Sequence, residues 1–171
     1  MPVAICFFLS GAAALILQVL WTRMLGHVFG ATALAISTTL SVFMAGLALG
    51  SHLGGRWAPK LKNPLLAFAA LETSVGLYGL IVPTLLDLMG PIQAGLALHL
   101  GDSIWGYALL PFVMVTVIWI SPTTAVGATL RILAEGVVKK WEHLAGKTGL
   151  LYAANTFGAV AGSFVAGFVL I

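Results

Sequence analysis

The stretch GLALGSHLGGRWAPK, residues 46–60, decides how the rest of the chain is read. It places glycines at 46, 50 and 54 and then supplies Arg56 and Lys60, after a run that has held no charged residue since Arg23. In water each glycine inside a helix costs roughly 1 kcal/mol against alanine, so three at a spacing of four would leave the helix weak. In a bilayer the same spacing is useful: residues four apart share one face, and small residues there let a second backbone come close. The two cations then stop the segment at the headgroups.

Composition carries that reading outward. Of the 171 residues, 60% are apolar and only 8% charged, and the mean hydropathy is +1.08. A water-facing surface needs far more charge to stay dispersed. The composition therefore points to an all-α fold, a polytopic helical membrane protein that forms one transmembrane domain over residues 1–171. The net charge of +3 comes from Lys and Arg in short connecting segments. That is the distribution of membrane orientation signals, unlike a nucleic-acid-binding face, so the lipid bilayer is a partner and nucleic acid is not. Cys6, the single cysteine, excludes an intrachain disulfide and reads as a small buried hydrophobe. The opening MPVAICFFLSGAAALILQVLW has no basic n-region and is as long as a bilayer span, so it reads as a retained first helix.

Five spans follow from apolar runs close to the ~20 residues that a crossing helix needs. They cover about 2–21, closed by Arg23; 31–53, closed by Arg56, Lys60 and Lys62; 64–86, starting on Pro64 and left at Asp87; 104–124, kinked or ended by Pro122; and 149–171. Arg56, Lys60, Lys62, Arg131, Lys139, Lys140 and Lys147 fall after the second and fourth spans, whereas the other side has Arg23 with Asp87 and Asp102. This excess puts the N-terminus in the cytoplasm of a cell and residue 171 outside, with Arg56, Lys60 and Lys62 as a cytoplasmic anchor at the cell membrane. The last span ends on Ile171 without a polar flank, an ending that leaves room for further chain in the natural protein.

Two connections are too apolar to be free loops. Residues 125–144 set Val126, Leu130, Leu133 and Val137 on one helical face, with Arg131, Glu135 and Lys139 as i,i+4 ion pairs on another, and predict a cytoplasmic interfacial amphipathic helix. Residues 89–103, MGPIQAGLALHLGDS, predict a segment lying on the outer surface or dipping into the protein.

The fifth span repeats the small-residue device in Ala154, Gly158, Gly162 and Ala166. Both seams are read as helix-packing faces, and the sequence leaves open whether they meet each other or another subunit. Intramembrane polar side chains are the functional candidates, because they are expensive in hydrocarbon. Glu72 and Asn155 sit at similar depth in two spans that start from the same side, and a hydrogen bond between them is feasible. The pair reads either as a proton or small-cation site or as a carboxyl that locks helices together. Gln18 and Arg23 lie toward the outer end of the first span, where Arg23 is placed to snorkel.

Other chemistry is not signalled. His27, His52, His99 and His143 have no i,i+4 pairing and no acidic cluster, so no metal site is read. Gly146, Lys147 and Thr148 lack the upstream glycine of a phosphate loop, with Trp141 in its place, and no Gly-x-Gly occurs in the chain. Neither a cofactor nor an enzyme activity is expected.

Four blocks, SGAAALILQVLWTRML (10–25), FMAGLALGSHLGGR (43–56), SPTTAVGATL (121–130) and LYAANTFGAVAG (151–162), resemble the membrane part of the spermidine synthase-like integral membrane family. In fused members of that family a cytosolic aminopropyltransferase-like domain follows, and it holds the catalytic residues. The resemblance therefore implies a membrane domain and assigns none of the residues here a catalytic role. Residues 50–60 also have a weaker resemblance to the loop between spans two and three of major facilitator transporters, sharing its glycine and Arg56 but with Ala58 and Pro59 where that loop carries an acid.

Two functions are carried forward. The first is a noncatalytic anchor or accessory subunit that packs through its glycine faces with other membrane subunits or with itself. The second is a transporter-like protein for a small cation or polyamine, working through Glu72 and Asn155.

Overall fold

A computed structural model describes residues 2–29, 33–100, 109–140 and 145–170. Among these residues the chain forms five α-helices: α1 (Pro2–Phe29), α2 (Ala33–Trp57), α3 (Pro64–Leu100), α4 (Leu110–Lys140) and α5 (Ala145–Phe168), with a 3-10 turn over Ala58–Lys60. Each has a stretch long and apolar enough to cross a bilayer. Even α5, with 24 residues, is about 36 Å long at 1.5 Å per residue, against a hydrocarbon core of about 30 Å. The outward faces are largely apolar: Leu80 is 76% exposed, Val117 70% and Phe168 77%. So much contiguous apolar surface is incompatible with water and natural in lipid. The chain is an all-α helical membrane protein.

Two expected boundaries move. Residues 89–100 are the last turns of a 37-residue α3, which runs through Pro83 and Pro91, so the described part of the segment expected to lie on the outer surface or dip into the protein is a continuation of the third span. Likewise α4 passes through Pro122 and reaches Lys140. The fourth span and the predicted interfacial helix are one element. The ion pairs expected of Glu135 with Arg131 and Lys139 rest on the side chains of Glu135 and Lys139, which lie outside the described residues, as do residues 101–108 and Ile171.

Pro122 is tolerated for a visible reason. It has no N–H for the carbonyl of Ile118, one turn earlier, and the Tyr78 hydroxyl of α3 donates to that carbonyl at 2.8 Å. In hydrocarbon no water can take this role, so a neighbouring helix does.

The helices form two tight pairs, α2 with α4 and α1 with α5, and α3 lies against α4 and reaches α1. The glycine seam of α2 faces α4. A Cβ on Gly46 would fall 1.8 Å from Thr123 Oγ1, one on Gly50 2.0 Å from the Thr124 carbonyl oxygen, and one on Gly54 2.9 Å from Ala128 Cα. The α5 seam faces α1, with Gly158 and Gly162 against the carbonyl oxygens of Phe8 and Ala12 at 1.9 and 2.3 Å from the same ideal position. Ala154 packs against the Phe7 cluster, and Ala166 is fully buried. Contacts advance together along both members of each pair, so both pairs run parallel. Carbonyl oxygens standing where side chains would be is the geometry of weak Cα–H···O contacts between closely approached helices. Each seam is thus closed inside the chain, and the two seams do not meet each other.

The notches are reciprocal. Gly127 of α4 faces the Leu47 carbonyl of α2, and Gly11 of α1 faces the Asn155 carbonyl of α5. The main core joins the pairs through Trp21 and Leu25 of α1, Val42 of α2, Val82 and Leu86 of α3, and Val115 and Trp119 of α4. A second cluster around Phe7, Leu133 and Leu151 lies toward the N-terminal end of α1.

Candidate functional site

The intramembrane carboxyl is held by a different partner from the one expected. Ser10, 7% exposed on α1, donates its hydroxyl to Glu72 Oε1 of α3 at 2.5 Å. Asn155 belongs to the α1–α5 contact: its carbonyl and its Oδ1 stand 2.1 and 2.9 Å from the position of a Cβ on Gly11. Depth placed Glu72 and Asn155 at one level, but α1 lies between α3 and α5 and supplies the nearer hydroxyl. Ser10 sits inside the SGAAAL run and has no charge or motif to mark it in the sequence. Its small-residue neighbours were the available signal, since a serine in such a run sits where another helix comes close.

The remaining candidates are dispersed. Gln18 lines a small cavity with Trp21, Thr39, Phe43, Trp119 and Thr123. Arg23 is exposed near the C-terminal end of α1. Arg56 is in the last turn of α2, and Lys60 and Lys62 are exposed in the connection to α3. Cys6 is exposed on α1 rather than buried. In lipid an exposed thiol is as well accommodated as a buried one, so burial was the wrong inference from its apolarity. His52 is exposed, and His99 Nδ1 lies 3.0 Å from the Gly95 carbonyl. The side chains of His27 and His143 lie outside the described residues. Among the described residues no group of three or more His, Cys, Asp or Glu could hold a metal ion.

Two of the buried hydroxyls are satisfied within their own helix. Thr123 donates to the Trp119 carbonyl at 2.6 Å, and Thr129 to Val126 at 2.7 Å. Such back-bonding leaves the hydroxyl oxygen able to accept but commits its proton.

A cleft of about 430 Å³ opens between the two helix pairs, with Phe7, Leu47, Leu130 and Leu151 as apolar walls and Ser51, Arg131 and Tyr152 as polar groups. Arg131 lies over Gly55, where a Cβ would come within 3.2 Å of its Nε. The walls suit hydrocarbon, and the guanidinium suits an anion.

Chemically, the Ser10–Glu72 pair is one carboxyl and one hydroxyl. It can tie two helices, bind a proton or accept a single cation. No protein-family model, curated protein or solved structure matches the chain, so its resemblance to the spermidine synthase-like membrane family rests on the four sequence blocks alone.

Proposed function

We propose that the chain is a noncatalytic membrane protein, an anchor or accessory subunit of a larger membrane assembly. One observation carries this reading: the side chains able to do chemistry inside the membrane act as ties between helices. Glu72 is held by Ser10 across α1 and α3, and Tyr78 meets the Ile118 carbonyl across α3 and α4. Because the glycine seams are closed within the chain, they serve to make the bundle rigid, and partners bind elsewhere on it.

The test is purification of the tagged native protein in mild detergent. A membrane partner should copurify in fixed stoichiometry, and depletion of the chain should lower the abundance of that partner. A chain that purifies alone and whose loss leaves every other membrane protein unchanged would overturn the proposal.

The second reading, a small-cation transporter, is favoured by the same half-buried carboxyl, since a carboxylate with a hydroxyl beside it in hydrocarbon is a place for a cation. Vesicles reconstituted with the chain would then take up labelled spermidine, and Glu72→Gln would abolish the uptake. Equal uptake by the variant, or none by the wild type, removes this reading.

A further inference from the structure

We infer that one water molecule is bound in the middle of the bundle, held by Trp119, Gln18 and Thr123, and that it bridges the two helix pairs. Trp119 is 2% exposed, and its Nε1 is the one buried side-chain polar atom without a hydrogen-bond partner among the described residues. Stacking on Trp21, at 6.2 Å between ring centres and 12° between planes, fixes the indole in place. It therefore cannot swing to reach an acceptor. An indole N–H only donates, and leaving it unmet in an apolar interior is unfavourable.

Beside it lies a cavity of about 10 Å³, walled by Gln18 and Trp21 of α1, Thr39 and Phe43 of α2, and Trp119 and Thr123 of α4. That is the room required by one water, and buried waters typically make about three hydrogen bonds. The walls can supply them. The indole N–H donates to the water. The Gln18 amide, which has no other side-chain bond among the described residues, accepts through Oε1. Thr123 Oγ1 has given its proton to the Trp119 carbonyl and accepts with a free lone pair. No acidic or basic side chain stands in the wall, so an ion would be left without a counter-charge and water is the occupant that fits.

The position gives the water a purpose. α1 is bound closely to α5, and α2 to α4, but α1 meets α2 and α4 only sparsely. The cavity lies at that junction, beside the Trp21–Trp119 stack, and a bridging water is nearly as good as a direct hydrogen bond.

The experiment is performed on the whole chain in lipid nanodiscs. The indole resonance of Trp119, assigned by triple-resonance spectroscopy, should show a cross-peak to a long-lived water, and a structure at water-resolving resolution should show one density within hydrogen-bond distance of Nε1. Gln18→Leu should abolish the cross-peak and move the indole proton upfield. The proposal is overturned by a wild type with no water cross-peak and a dry cavity, or by density in which Gln18 Oε1 bonds Nε1 directly. A cross-peak that survives unchanged in both Gln18→Leu and Thr123→Val also overturns it, since the water would then be held by other groups.

Discussion

At the scale of single residues, the Tyr78 hydroxyl is the clearest case of a side chain standing in for backbone. Pro122 removes the donor that the Ile118 carbonyl would have had, and Tyr78 restores one from another helix. Tyr78→Phe leaves that carbonyl unmet in hydrocarbon, at a cost of about 1 kcal/mol. In a Pro122→Ala background the backbone N–H returns, so the same substitution should cost much less. A double-mutant cycle of unfolding free energies in mixed micelles reads the difference. Equal costs in both backgrounds would show that Tyr78 contributes packing alone. The polar site was half legible at this scale: Glu72 stood out as a lone carboxyl in an apolar run, but depth along a helix says nothing of the direction in which a side chain points. That direction gave Ser10, and not Asn155, as its partner.

At the scale of elements, the five crossings were readable from length and apolarity, and their ends were not. The expected ends rested on Asp87 and the glycines that follow it for the third span and on Pro122 for the fourth, signals that end helices in water, where freed carbonyls are solvated and chains turn away. In lipid a helix that continues keeps nearly all its backbone bonds, and neighbours mend the gap. Hence α3 and α4 overran their expected limits. The seams were readable as packing faces because spacing alone defines a face, but their partner helices needed three dimensions. Their closeness makes a sharp prediction. Gly50→Ala and Gly158→Ala each put a methyl about 2 Å from a carbonyl oxygen, forcing the pair apart at a cost of about 1–3 kcal/mol. Gly76 has nothing within 4 Å of that position, so Gly76→Ala should be neutral or stabilising by up to about 1 kcal/mol. Unfolding midpoints of the purified chain in one detergent compare the three. If the seam variants matched Gly76→Ala, the pairs would be looser than their carbonyl contacts imply.

At the scale of the molecule, the parallel pairing constrains how the bundle sits in the bilayer. Because α1 and α5 run the same way and α2 and α4 run the same way, the start of α1, the end of α2, the start of α3 and the start of α5 share one side. That side holds Arg56, Lys60 and Lys62, while Arg23 lies near the far end of α1. Cytoplasmic loops carry the excess of Lys and Arg, so the N-terminus is expected inside. Cys6 is the only cysteine, and Cys6→Ser provides a silent background for labelling. In that background Lys62→Cys should react with a membrane-impermeant maleimide only in inside-out vesicles, and Arg23→Cys only in right-side-out ones. The reverse pattern would turn the molecule over without altering its fold. Labelling of both positions from one side would mean that α2, which separates them, does not cross, and the five-span architecture would then be wrong at its most glycine-rich helix.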